Sequence, residues 1–369
     1  MTLRLGPTSG PRSGQDLRLG PTRGPRSGQA VEVALATASE RQDWDAFVAS
    51  QSGATGYHEW EWGSVFTRAF GHQPEYLVAR RGSRIAGVLP LVELRSVLFG
   101  RLMSSLPFVN YGGVVSTSDD VTAALVRAAT TLAQERGARH LELRHTAKRL
   151  DGAPSRQHKV AMHLALAPGM WERFDRKVRN QIRKAEKSGL TADRGGIERL
   201  DEFYPVFARN MRDLGTPVYA RRFFEEILRA FPDRARVVVV RSGEAPVAAA
   251  VTFQARDTLE VPWASSLREY NTLCPNHLLY WTAIQSALAD DCRTLDFGRS
   301  TPNEGTFHFK RQWGAVPVPL YWEYPWLDRG AIPDQGPTNP KFRAAIAVWK
   351  RCPVWLTRMV GPRIVGGIP

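Results

Sequence analysis

The sequence predicts an α/β chain of the α+β, mixed-sheet kind, built from two modules of one type. A hairpin pattern in the first half, Glu75–Ala79 and Ile85–Glu93 about a turn at Arg81-Gly82-Ser83, recurs in the second. There it runs Arg236–Val240, a turn at Arg241-Ser242-Gly243-Glu244, then Val247–Phe253. The flanking patterns recur in the same order: helix, helix, hairpin, strand, helix, strand. A doubly wound sheet would instead alternate strand and helix throughout, and neither GxGxxG after a strand nor GxxxxGK[ST] occurs.

At 369 residues the chain is long enough for two cores. Its net charge of +14 points to polyanionic partners, whether nucleic acid, a nucleotide diphosphate or an anionic membrane surface. Cys274, Cys292 and Cys352 are far apart and fit no metal or redox spacing, so they read as reduced thiols of a cytoplasmic protein. The first residues hold no apolar core of a signal peptide, and no apolar run is long enough for a membrane span.

Residues 1–30 are a tandem repeat of a Gly-, Pro-, Ser- and Arg-rich unit, Leu3–Asp16 and Leu17–Ala30, which predicts a disordered basic segment. The first module is expected over 31–168. Val31–Ala36 reads as a strand, 39–50 and 59–70 as helices, Leu102–Val115 as a further strand-like run, 119–136 as a helix and Arg139–Arg144 as its last strand. The second module, 169–325, opens with Met170–Ser188. There Trp171, Phe174, Val178, Ile182 and Ala185 step by three and four opposite Arg176, Lys177, Arg179, Arg183 and Lys184. That pattern is one helix with a buried face and a cationic face suited to phosphate or tRNA. Two helices over 200–231 bring together Arg212, Tyr219, Arg221 and Arg222, a mixture that suits an anionic ligand. The strand Thr294–Ser300 leads into Gly305–Gly314, where Phe309-Lys310 lies among aromatics. Residues 326–369 read as a linker and an amphipathic tail, whose stretch 342–363 mixes apolar and basic residues as a peripheral contact with anionic lipid would.

No nucleophile elbow, Cys/His pair or HExxH motif is present, so hydrolase and metalloenzyme chemistry find no residues, and no metal ligand is assigned. One set of stretches does carry a resemblance: Phe70-Gly71-His72, Gly87–Leu91, Ser105–Gly113, Lys177–Ala185, Asn210–Pro217, Asp296–Ser300 and Phe309–Gly314. Together they resemble the FemAB/FemX transferases, closest to the FemAB-like proteins associated with exosortase (PEP-CTERM) systems, a domain also described as BioF2-like acetyltransferase. The resemblance implies two tandem GNAT-like domains and acyl transfer to an amine. It implies an aminoacyl-tRNA or acyl-CoA co-substrate with no bound cofactor, and a nucleotide- or lipid-linked envelope precursor as acceptor. The implied site has Lys310, with Phe309, at the reacting ester, where a cation would stabilise an oxyanion. Asn110, Tyr111, Arg212, Tyr219, Arg222 and Arg299 are expected to bind substrate. Asp296, Glu304 and His308 are proton acceptors by position only. The chain lacks the long helical arm of the bridge-forming enzymes, and where they carry a substrate lysine in the first module it offers only Arg68, after Trp60 and Trp62. Two other readings stand beside transfer from tRNA: acyl-CoA-dependent N-acylation in exopolysaccharide or envelope synthesis, and a non-catalytic RNA- or lipid-binding scaffold on this fold.

Overall fold

Both expected hairpins form in a computed structural model that describes residues 30–96, 100–328, 332 and 340–368. The repeat over 1–29 lies outside the described residues. In the first half the order is β1 (Val31–Leu35), α1 (Arg41–Ser50), α2 (Glu61–Phe70), β2 (Pro74–Arg81), β3 (Arg84–Ser96), β4 (Gly100–Ser104), β5 (Val115–Ser116), α3 (Asp119–Glu135), β6 (His140–His145) and β7 (Ser155–Arg156). Next come β8 (Val160–Ala165), α4 (Met170–Arg173), α5 (Arg176–Lys187), β9 (Leu190–Gly195), α6 (Leu200–Leu214) and α7 (Arg221–Ala230). The second sheet continues with β10 (Ala235–Ser242), β11 (Ala245–Ala255), β12 (Thr258–Ser266), α8 (Pro275–Ala289), β13 (Thr294–Ser300), α9 (Gly305–Arg311) and β14 (Val316–Pro319). β15 (Tyr321–Leu327), α10 (Pro340–Trp349) and α11 (Val354–Val365) complete the chain.

The first sheet runs β1-β2-β3-β4-β6-β15-β7, with β5 on β3, and the second runs β14-β8-β13-β12-β11-β10-β9. Within each, β4 with β6 and β12 with β13 are the parallel pairs, so both sheets are mixed, as the duplicated order predicts. β10 is buried on both faces, which is why Val237 to Val240 read as an unbroken apolar run. α3 covers one face of the first sheet and α5 and α8 one face of the second. An aromatic-rich core that includes Trp62, Phe66, Phe108, Phe207, Phe223, Phe224 and Phe253 fills the space between the modules.

The sheets do not divide the chain at residue 168. β8 leaves the first half and pairs between β13 and β14, while β15 crosses back and pairs between β6 and β7. Each module therefore receives one strand from the other. The exchange is fastened by buried polar groups: Glu323 of β15 meets His145 Nδ1 at 2.7 Å and accepts the Leu150 N–H at 2.8 Å, and the Tyr324 hydroxyl donates to Glu142 at 2.7 Å.

Four local expectations need correction. The basic helix over 170–188 breaks at Phe174-Asp175, where Asp175 caps α5 by accepting the Lys177 N–H at 3.4 Å. The polar stretch Leu190–Gly195, read as nothing, is the edge strand β9. The run Leu102–Val115 keeps strand geometry to Ser104, then forms a buried loop and regains it only at Val115. The linker begins later than residue 326, since β15 continues to Leu327. The tail returns to the body: α11 packs on α6, and Arg358 lies 5.0 Å over the Tyr204 ring.

Candidate active site

The loop between β4 and β5 carries the first module's contribution. Its backbone is unusual, with Leu106 and Phe108 at positive φ, and a Cβ on Gly112 would lie 2.5 Å from the Ser105 carbonyl. Strand β6 offsets this with directed hydrogen bonds. Ser105 Oγ accepts the Arg144 N–H at 2.8 Å, Gly112 N–H donates to the Arg144 carbonyl at 3.1 Å, and Arg144 Nη1 donates to the Val109 carbonyl at 3.2 Å. So held, the loop presents two adjacent side chains to the second module: Asn110 Nδ2 donates to Glu260 Oε1 and the Tyr111 hydroxyl donates to Asp296 Oδ2.

Glu260 and Asp296 face each other in register on the parallel pair β12 and β13. They are 6% and 2% exposed and line a cleft of about 310 Å³ with Tyr111, His163, Phe253 and the small residues 52–56. Two like charges so placed cannot both be held in a dry site. Burial, and then the charge of Asp296, push Glu260 well above the usual carboxylate range. His163 Nε2 lies 3.4 Å from Asp296 Oδ2; burial opposes its charge, and Asp296 outweighs that and raises its pKa. Tyr57, 1% exposed, has its hydroxyl beside Glu260, and burial and that acid push its pKa up.

Lys310 lies near enough for the charges of Asp296 and Glu260 to act on it. A bulge between Asp296 and Arg299 interrupts the ladder, with Gly298 at φ 73° and its N–H turned to Asp296 Oδ1 at 2.8 Å. The buried Lys310 Nζ donates to the carbonyls of Gly298 at 3.1 Å and Arg299 at 2.9 Å. Burial lowers its pKa to about 8; the charges of Asp296 and Glu260 favour its cation and Arg299 opposes it. Phe309 packs against His277 and Tyr280 with ring centroids 5.2 and 5.5 Å away.

The expected site residues thus separate into two groups. Asn110, Tyr111, Arg299 and Lys310 meet at the seam, together with Tyr219, whose phenol lies within the fields of Arg299 and Arg144. Arg212 instead ties down the tail, with Nε on Asp213 at 2.6 Å and Nη1 on the Cys352 carbonyl at 3.0 Å. Arg222 is 63% exposed and pairs with Glu226 one turn on, which Arg68 also approaches at 3.8 Å. These three make structural contacts away from the cleft. The cations of α5 other than the half-buried Arg179 face outward; Arg183 lies 5.2 Å over the Trp171 ring, and Lys177 is close enough to His277 to disfavour its protonation. Sequence reading missed Glu260, Tyr57 and His163. Glu260 carried a usable signal, a lone acid inside the apolar strand Leu259–Trp263. Among the described residues no cluster of ligating side chains could hold a metal ion.

Residues 172–311 match the family described as Acetyltransferase (GNAT) domain. None of the curated proteins matches the chain significantly. Among solved structures the chain is similar to FemX, at 15% identity and TM-score 0.60, over 85% of this chain and 100% of that one. It is also similar to the C-terminal domain of a putative lysylphosphatidylglycerol synthetase from Agrobacterium fabrum, at 12% identity and TM-score 0.52, over 86% and 96% of the two chains. A tandem GNAT protein from the clavulanic acid biosynthesis pathway aligns at 14% identity and TM-score 0.50, over 80% of this chain and 97% of that one. At these identities the likeness is one of fold: the chain has the fold of two GNAT domains in tandem, and the stretch that matches the family lies in the second.

Proposed function

We propose that this chain is an N-acyltransferase that moves an aminoacyl or acyl group from an ester or thioester donor onto an amine of a nucleotide- or lipid-linked envelope precursor. The observation that carries the reading is the Glu260–Asp296 pair in a cleft walled by both modules, with the buried Lys310 near enough for both acids to favour its cation. In this reading Asp296 takes the proton of the acceptor's ammonium, while Glu260 already holds one. The free amine attacks the acyl carbon, the C–N bond forms, and the ester or thioester bond breaks. The departing oxygen or sulfur receives the second amine proton. Lys310, anchored by two carbonyls, supplies positive charge to the oxyanion, and burial makes that charge effective.

The donor is an aminoacyl-tRNA, and α5 is the reason. Its cations Arg176, Lys177, Arg179, Arg183, Lys184 and Lys187 make no ion pair among the described residues. They extend over roughly 18 Å of helix, more than one nucleotide diphosphate would engage. Incubating the full chain with aminoacyl-tRNA and with acyl-CoA, each with a labelled acyl group, tests the donor. Changing Arg176, Lys177, Arg183 and Lys184 together to Glu is expected to flatten the salt dependence of tRNA binding by roughly 0.7 for each phosphate no longer neutralised. An unaltered slope, with turnover of acyl-CoA alone, would move the donor to CoA.

The tail fits a site close to a membrane. Val348, Trp355 and Met359 are exposed beside Arg351 and Arg358, and no acidic residue follows Asp334. Among the described residues no helix is long and apolar enough to cross a membrane. Flotation with phosphatidylglycerol vesicles, and loss of flotation in Trp355→Ser, is the expected result; equal recovery with neutral vesicles would remove the lipid from the proposal.

A further inference from the structure

We infer that the seam where the two modules exchange strands holds a binding site for a phosphate-class dianion, built by Arg144, Arg299, Ser300 and Trp322 and rimmed by His158 and Lys159. It deepens the acyl-transfer reading by naming the group that anchors the acceptor, and its test needs no acyl donor.

The argument starts from unpartnered donors. Arg144 is 1% exposed; its Nε is satisfied by Glu142 at 2.9 Å and Nη1 by the Val109 carbonyl, but Nη2 has no partner. Buried Ser300 Oγ and the Trp322 indole N–H are likewise without partners. Arg299 makes no ion pair and no side-chain hydrogen bond among the described residues. Buried donors are almost always satisfied, so several orphans in one place ask for an acceptor.

The donors belong together. The guanidinium carbons of Arg144 and Arg299 lie 4.4 and 5.5 Å from the centroid of the same ring, Trp322, and His158 packs edge-on to that ring at 4.7 Å. Ser300 adjoins Arg299, and Lys159 Nζ donates to Thr301 Oγ1 at 2.7 Å. Four different parts of the chain meet here only because β15 crosses into the first sheet.

The charge is lopsided as well. Burial, then Arg144, holds Arg299 below the usual arginine range; burial, then Arg299, lowers Lys159; burial, then Lys159 and Arg156, brings His158 to about 4. The facing acids are Glu142, already committed to Arg144 and Tyr324, and Glu304, which favours the Lys159 cation; the phenols of Tyr57, Tyr111 and Tyr219 face Arg299. Cations that depress one another are relieved by an anion. Two guanidinium groups with an ammonium, a hydroxyl and an indole N–H match a phosphate dianion in charge and donor number better than a carboxylate.

The test titrates the full chain, at constant ionic strength, with inorganic phosphate, pyrophosphate, uridine diphosphate, geranyl diphosphate and acetate. The readouts are the indole ¹⁵N–H resonance of Trp322, identified with Trp322→Phe, and the pKa of His158 in the unaltered protein. Binding of a phosphate ligand is expected to shift the Trp322 resonance and raise the His158 pKa, and Arg299→Gln is expected to weaken binding about tenfold or more. Tighter binding of uridine diphosphate than of geranyl diphosphate would name a nucleotide as the source, and the reverse a lipid; either order supports the site. No response from Trp322 and His158 to any phosphate ligand, or an equal response to acetate, would overturn it. Should Arg299→Gln fail to fold, the His158 titration decides alone. Phosphate binding without acyl transfer under any donor would sink the transferase reading and leave this site standing.

Discussion

Lys310→Met is expected to lower acyl transfer by about 10²–10³-fold, the usual cost of losing one charge-stabilising donor at a developing oxyanion. The change also costs stability, because the carbonyls of Gly298 and Arg299 lose their donor. Each orphaned carbonyl costs about 1–3 kcal/mol, partly offset by removing a buried charge. Two pH effects of opposite sign follow from a lysine at about 8 instead of 10.5. Between these values the unfolded chain binds the extra proton, so the penalty for burying the cation is complete below about pH 8. Stability from this residue then rises with pH through that window. Transfer falls over the same range, as the cation is lost. Single-turnover rates and melting temperatures measured from pH 6 to 10 check both, and Lys310→Arg should remove the alkaline decline. A variant that melts earlier yet transfers at full rate would leave Lys310 as a core plug.

Cutting the chain between the modules is expected to abolish folding of both halves. A fragment 30–168 keeps β8, which has no place in its own sheet, and lacks β15, so β6 would expose an unpaired edge. It would also leave His145 without Glu323 and Glu142 without the Tyr324 hydroxyl. A fragment 169–369 lacks β8, and β13 and β14 lose the strand that joins them. The intact chain should therefore unfold in a single calorimetric transition whose van't Hoff and calorimetric enthalpies agree. Two resolved transitions, or a folded fragment 30–168 by heteronuclear NMR, would show that the exchange does not bind the modules into one cooperative unit.

Much of this architecture was legible in the residues. The hairpins announced themselves by apolar runs about Gly turns, and Asp296-Phe297-Gly298 beside a later Lys310 pointed to the candidate site. The exchange of strands was not legible. Val160–Ala165 and Tyr321–Leu327 look like any short strand, and nothing local tells which sheet will take them. The acid pair escaped for a similar reason: Glu260 and Asp296 are adjacent only through parallel pairing of strands separated by a helix. The ion pairs of Arg212 and Arg222 did leave a sequence signal, since Asp213 and Glu226 stand beside them as ready partners.

Strand exchange also sets a timetable for synthesis. When β6 leaves the ribosome, the strand that must lie beside it is still 176 residues away, from His145 to Tyr321. At about 5–20 residues per second that interval is roughly 10–35 s. During it the nascent first sheet has an open edge and a buried acid, Glu142, without its tyrosine. Bringing the last strand forward by circular permutation would shorten the wait, so the yield of folded protein in rapid translation should depend on strand order even though the finished fold does not.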